Sequence, residues 1–318
     1  MSTSHSAVRD TVETQKILML LGVGRSGSTV LDIVLGNHPQ IESVGELINV
    51  ARLGWINNEY CACGKRVGRC PYWNEVRRRL DADLGSFDPR AYLELQRRFE
   101  RTRRTWRLPM EQWRPSSEFI AYSQQTRAIY EAIRRTARRP IIVDSSKNPV
   151  RAMALAQVPG LDVHVLHLVR NANGVTWSLR KAYRRDDAAG VQRDMPPRPA
   201  WRTAAMWAWG NLLAERICRR FPPDRRSFLT YEAFLADPAG SLVGIGQLIG
   251  ADLTELGRRA AARHAMPAGH TIAGNRVRME GTVRLQRDDE WRERLAPADR
   301  ATVAAIAGPL MRHYGYRR

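Results

Sequence analysis

The amino-acid sequence predicts an α/β three-layer sandwich: a central parallel sheet with helices on both faces, carrying a mostly helical, basic insertion. Three observations predict it. A short apolar run, Lys16 to Leu21, passes through a glycine-rich turn into a helical pattern, which is how a doubly wound fold opens. Two more apolar runs, 141–144 and 162–169, also lead into helical segments, as buried parallel strands do. Ahead of them, residues 72–139 are helical in pattern, and Arg77 to Arg139 hold 16 Arg and no Lys against 8 Asp plus Glu.

The elements follow in chain order. Ser28 to Leu35 carries apolar residues at helical spacing, and Asn37-His38-Pro39 stops that helix because the residue before proline avoids the helical region. Ile41 to Val44 reads as a second short strand, and Ile141 to Val143 as a third that ends at Asp144. A helix runs through Met153 to Ala156, then the strand Asp162 to Val169 ends at Arg170. Residues 184–199 are charged and proline-rich, hence a loop. Helices are expected at about 200–220 and 238–262, with a short strand Phe228 to Thr230 between them. A glycine-bearing loop spans 270–283, and a last helix starts at Pro297. Neither a repeat nor a linker is visible. The expectation is one domain over 1–318, with a core of 16–50 and 140–318 and the insertion at about 72–139.

The bulk numbers bound the function. Hydrophobic residues make up 43% of 318, enough for a packed core, and no run approaches the roughly 18 apolar residues of a membrane span. The first fifteen residues are polar and lack the apolar stretch of a secretory leader, so a cytoplasmic protein is expected. Lys plus Arg outnumber Asp plus Glu 51 to 32, for a net charge of +19. Such a field attracts nucleic acid, membrane phosphates or a multiply charged small substrate, and arginine suits bidentate grip on phosphate or sulfate. The arginine runs of the insertion read as a solvated face; a lid or an acceptor-binding element is the functional alternative. Cys61, Cys63 and Cys70 lie close in sequence, but their spacing falls short of a four-ligand zinc site. A compact, turn-rich loop is the plainer reading. Trp55, Trp73, Trp106 and Trp113 lie in or beside the insertion and read as core before they read as binding aromatics.

Gly22 to Thr29, within "LGVGRSGSTV", has the outline of the phosphate-gripping loop G-x-x-x-x-G-K-[ST], yet Ser28 stands where a nucleotide triphosphatase has lysine. Backbone N–H groups at a helix N-terminus hold a phosphate without that lysine. Gly22, Gly24 and Gly27 let the backbone approach, Ser26, Ser28 and Thr29 offer hydroxyls, and Arg25 brings a charge. A triphosphatase also needs a strand ending in a metal-holding aspartate. The strand at 162–169 ends in Arg170 instead, while Asp144 keeps that second reading open.

At this point the sequence resembles the sulfotransferases that use 3′-phosphoadenosine 5′-phosphosulfate (PAPS), whose fold is P-loop-like. "LLGVGRSGSTVL" is similar to the "RSG[ST]T" form of the tyrosylprotein and carbohydrate enzymes. "VLHLVRNANGVTWSLRK" matches their second signature, with Arg170 and Ser178 eight residues apart. The resemblance, strongest over about 16–49 and 141–181, implies that Gly24 to Thr29 hold the 5′-phosphosulfate and Arg170 with Ser178 the 3′-phosphate. It implies that Glu46, twenty-one residues after Arg25, is the base, with His38 as its rival. Lys147 would stabilise the leaving oxygen, oriented by Asp144 or Ser146. Thr230-Tyr231-Glu232 resembles a structural strand-to-helix junction. Gly274 to Arg278 resembles a loop that closes over the nucleotide, with Arg278 favoured over Arg276. The implied chemistry is metal-free sulfuryl transfer to a small-molecule, glycan, lipid or peptidyl hydroxyl, with no nucleic acid partner. A metal-dependent kinase or triphosphatase and a basic nucleic-acid-binding module are the alternatives. Acceptor and oligomeric state are not legible.

Overall fold

The computed structural model describes residues 14–101, 108–186 and 194–316. Five strands form one parallel sheet in the order β2-β3-β1-β4-β5. They are β1 (Gln15–Leu21), β2 (Ile41–Ser43), β3 (Ile141–Lys147), β4 (Leu161–Val169) and β5 (Arg226–Thr230). Side chains alternate across β1. Ile17, Met19 and Leu21 enter one apolar cluster, Leu18 and Leu20 the other, so both faces of the sheet are covered, as a parallel sheet requires.

On one face lie the insertion helices α2 (Pro71–Leu84), α3 (Pro89–Phe99), α4 (Leu108–Trp113) and α5 (Ser117–Ala137), together with α6 (Pro149–Leu155). The other face packs α1 (Ser28–Leu35), then α9 (Tyr231–Ala236), α10 (Pro238–Ile249) and α11 (Thr254–Ala261). A third cluster joins α7 (Ala172–Arg180), α8 (Ala200–Cys218) and the C-terminal helix, here α13 (Pro297–His313). A short helix α12 (Trp291–Arg294) and a small antiparallel pair, β6 (Met266–Pro267) with β7 (Thr282–Val283), complete the regular elements.

Two expectations about elements are corrected. The segment 238–262 is two helices, because Gly250 adopts φ 70° and ends α10. Strand β3 does not stop at Asp144 but runs on to Lys147, with Asp144, Ser145 and Ser146 buried. Those polar side chains are satisfied inside: Asp144 Oδ1 accepts from the backbone N–H of Leu47 at 3.3 Å, and Ser146 Oγ from that of Ile48 at 2.9 Å.

The insertion is tied to the sheet by a buried charge cluster. Arg151 donates to Asp144 Oδ2 from Nε at 3.0 Å and to Glu100 Oε1 from Nη1. Tyr122 and Tyr130 donate to Glu100 and Asp144 at 2.8 and 2.7 Å. On the outer face, Arg77, Arg78, Arg79, Arg98, Arg134 and Arg135 are all paired with Asp or Glu. Trp73 is fully buried and Trp55 packs against it and Phe87, whereas Trp113 is 85% exposed. Trp106 lies outside the described residues. No helix among the described residues is long and apolar enough to cross a membrane.

Candidate active site

The carboxyl ends of β1, β3 and β4 converge on one spot, where ligands of open α/β sheets bind. Leu21 of β1 sits in register with Lys147 of β3 and His167 of β4. The loop that leaves β1 is shaped by close packing. Gly22, at φ 141°, has its Cβ position 2.5 Å from the Leu168 carbonyl oxygen, and that of Gly27, at φ 90°, is 2.2 Å from the Tyr231 ring. Neither position accepts a side chain. A Cβ on Gly24 would meet nothing within 4 Å, so Gly24 matters as open space rather than as a bend.

A cavity of about 330 Å³ opens over this loop. Gly24, Arg25, Gly27, Ser28, Thr29, Glu46, Lys147 and Arg278 all line it, so most of the residues singled out from the sequence share one space. Arg25 holds φ 70° and Lys147 φ 62°, a region that costs a side-chain-bearing residue energy and that clusters at functional sites. Burial draws the Arg25 guanidinium below its ordinary value, with Tyr183 and Glu46 pulling the other way. Glu46 follows Gly45, whose φ of 73° lets the chain pass with the Cβ position 2.3 Å from the Ile272 carbonyl oxygen. Lys147 Nζ donates to Glu46 Oε1 at 2.5 Å and to the Ser145 carbonyl at 3.0 Å. Asn49 donates to the other carboxylate oxygen at 2.8 Å.

Several placements differ from the sequence expectation. Asp144 and Ser146 do not orient Lys147; Asp144 is taken up by Arg151, Tyr130 and Ser146. Ser26 is fully buried and its hydroxyl has no partner, so it turns away from the cavity and leaves only its backbone to a ligand. His38 does not line the cavity; its Nδ1 accepts from the Gln40 N–H within the turn after α1. Arg170 sits against the back of the loop, with Nη1 3.4 Å from the Arg25 carbonyl oxygen and Nη2 2.9 Å from Asp288. Its guanidinium also lies over the Tyr231 ring at 5.3 Å. Neither Arg170 nor Ser178 lines the cavity itself. Arg278 is buried and donates to the Tyr60 carbonyl at 2.9 Å, whereas Arg276 is exposed over the Tyr183 ring.

The late loop lies against the start of α1: the Asn275 N–H donates to Thr29 Oγ1 at 3.1 Å. Thr230 caps α9 by accepting from the Ala233 N–H, and Glu232 accepts from Asn171 and Tyr316, a structural junction. Sequence reasoning missed Asn49, Arg52, Tyr183, Met195 and Arg198, which also line the cavity. They come from a wide-turned helical segment, Val50–Ile56, and its approach, and from the loop after α7, neither of which carries a motif. None of the insertion's described residues lines the cavity.

In overall structure the chain is similar to the sulfotransferase domain from the Synechococcus PCC 7002 olefin synthase, at 20% identity over 97% of this chain and 98% of that one, with a TM-score of 0.51. A sulfotransferase domain from the curacin biosynthetic pathway aligns at 15% identity over 92% and 96% of the two chains, with a TM-score of 0.46. No curated protein matches by sequence. The model of the sulfotransferase family matches residues 18–255, three quarters of the chain and every strand of its main sheet, and the chain belongs to the sulfotransferase family.

Proposed function

We propose that this chain moves a sulfuryl group from PAPS to an acceptor hydroxyl by in-line displacement. One observation carries the reading: the amino end of α1, with Arg25, opens on the same cavity as the Glu46–Lys147 pair. The backbone of residues 24–29 and the hydroxyls of Ser28 and Thr29 hold the 5′-phosphosulfate at the positive end of α1. As the acceptor oxygen bonds to sulfur, the bond from sulfur to the bridging phosphate oxygen breaks and its electron pair leaves on the phosphate. Arg25 and Lys147 stabilise that charge. The acceptor proton passes to Glu46, which is freed as Lys147 swings from the carboxylate to the bridging oxygen. Arg170, together with Ser178 of α7, takes the 3′-phosphate by exchanging Asp288 for it. Arg276 joins Arg278 as a candidate for the closing contact.

The carboxylate that a metal-dependent triphosphatase would use, Asp144, is fully buried and engaged by Arg151 and Tyr130, which disfavours that alternative. The pairing of Arg77, Arg78, Arg79, Arg98, Arg134 and Arg135 with carboxylates likewise weakens the nucleic-acid reading. The proposal includes a cytoplasmic setting, one folding unit made of core plus insertion, and an acceptor that is a small molecule, glycan, lipid or peptidyl hydroxyl.

Calorimetry with adenosine 3′,5′-bisphosphate tests it. Arg170→Ala is expected to weaken that ligand about ten- to a hundredfold, the value of a charge-assisted hydrogen bond, and to leave adenosine 5′-monophosphate binding little changed. Equal losses on both ligands remove the assigned role of Arg170. A wild-type chain that takes up no bisphosphate overturns the donor assignment altogether.

A further inference from the structure

The three clustered cysteines are joined by a fourth donor from the far end of the chain. Cys61 and Cys63 stand on a tight turn, closed by the Gly64 N–H donating to the Cys61 carbonyl at 3.0 Å, with Gly64 at φ 80°. Cys70 caps α2. His270 reaches the same point from the loop after β6 and turns its Nδ1 towards the thiols. The distances are 3.6 Å for Cys63 Sγ to Cys70 Sγ and 3.7 Å for Cys70 Sγ to Cys61 Sγ. Nδ1 is 3.3 Å from Cys70 Sγ and 3.8 Å from Cys61 Sγ. All four donor atoms lie within 4.8 Å of one another, and all three cysteines are free thiols. Four donors at zinc–sulfur and zinc–nitrogen bond lengths from a tetrahedral centre stand about 3.5–3.8 Å apart, close to the four distances observed.

We propose that Cys61, Cys63, Cys70 and His270 form a structural zinc site. Three thiolates and one neutral imidazole make a soft, closed, four-coordinate set, the donor chemistry of structural zinc rather than of magnesium or calcium. On binding, the three thiols release three protons and the complex carries one net negative charge. The surroundings suit that charge and fix the ligands. Arg278, buried, brings a positive charge beside the cluster: its Nη1 donates to the carbonyl of Tyr60, the residue before Cys61, at 2.9 Å and to that of Thr271, the residue after His270, at 3.5 Å. The Tyr72 ring stacks on the imidazole at 5.0 Å and 4°, and Trp73 Nε1 donates to the His270 carbonyl at 2.8 Å. Such supporting contacts hold ligands in place around metals.

The site's position gives it a role. Two residues beyond His270, Ile272 donates to the Val44 carbonyl at 3.1 Å and accepts from the Glu46 N–H at 2.9 Å. Alongside, the Ala62 N–H donates to the Thr271 carbonyl at 3.1 Å. A metal here staples the cysteine turn and the start of α2 to the strand-like segment that brackets Glu46 and continues into Gly274 and Asn275 over Thr29. It acts as a clamp beside the cavity and touches no reacting atom. The proposal stands apart from the choice of donor nucleotide, because its readout is metal content.

The test uses the full chain, purified under reductant, loaded with zinc or cobalt(II) and then desalted. About one equivalent of zinc per chain is expected, together with a cobalt spectrum showing thiolate charge transfer and tetrahedral ligand-field bands. His270→Ala and Cys63→Ser are expected to lose the metal, while Cys218→Ser, whose thiol lies on α8 outside the cluster, retains it. A wild-type chain that keeps less than about a tenth of an equivalent after loading, or gives an octahedral cobalt spectrum, overturns the proposal. So does full retention in both His270→Ala and Cys63→Ser. Because the decisive readings come from the wild-type chain, a variant that fails to fold does not rescue it.

Discussion

Arg25 and Lys147 sit in left-handed backbone conformations on either side of the carboxyl end of β1. Each needs its neighbours to hold it there: Arg25 lies between two tightly packed glycines, and Lys147 ends a strand pinned by Asp144 and Ser146. The consequence is an ion pair, Lys147 with Glu46, both mostly buried at the cavity wall. If Glu46 takes the acceptor proton, Glu46→Gln keeps the shape and the Asn49 contact but has no basic oxygen to offer. Turnover is then expected to fall about a hundredfold or more, the usual contribution of a general base, while affinity for adenosine 3′,5′-bisphosphate stays at the wild-type value. Steady-state rates beside calorimetry separate the two effects. Near-wild-type turnover in Glu46→Gln moves the base elsewhere.

The turn between β1 and α1 and the α3–β3–α6 junction are the elements on which the site depends. In the turn, Gly27→Ala puts a methyl into the Tyr231 ring at a positive φ, and the two penalties together amount to about 2–4 kcal/mol of stability. Gly24→Ala meets open space, so it is expected to leave the urea midpoint unchanged and to weaken nucleotide binding by intruding on the cavity. The opposite ranking would mean that the loop is held differently. At the junction, Arg151→Met strands Glu100 and Asp144 as buried carboxylates, for a loss of about 3–5 kcal/mol, measurable by equilibrium unfolding. The sequence made the first of these elements readable and hid the second. Helix α1 was legible to the residue because strand, glycines and helical spacing are all local. The extension of β3 was not, since Asp144-Ser145-Ser146 looks like a turn until the backbone of Leu47 and Ile48 arrives to satisfy it. His270 was invisible as a ligand for the same reason: it lies 200 residues from Cys70. The late loop showed its resemblance, but only side-chain burial distinguishes a buried Arg278 from an exposed Arg276.

Across the whole molecule, two buried groups set opposing responses to pH. Asp32 on α1 is fully buried, bonded to Ser43 Oγ at 2.6 Å, and burial pushes its carboxyl up to about 8. His167 on β4 is buried against Asn211, and burial holds its imidazole down at about 4. Stability rises with pH wherever the unfolded chain binds more protons than the folded one. For His167 that holds between about 4 and its ordinary 6.5, so acid destabilises the fold there. For Asp32 the folded chain keeps the extra proton from its ordinary 3.8 up to about 8, so rising pH destabilises the fold throughout that window. Below pH 6.5 the two slopes oppose each other. Above it, of these two, only the Asp32 slope remains. The fold is therefore expected to lose about 2 kcal/mol between pH 6.5 and 8 through Asp32 alone. Asp32→Asn keeps an acceptor for Ser43 and removes the titration. Its unfolding free energy, measured in urea at both pH values, is expected to decline less than that of the wild type by that amount. If the two proteins decline in parallel, Asp32 is already ionised in the folded chain, and α1 carries a buried negative charge directly beneath the loop assigned to anion binding.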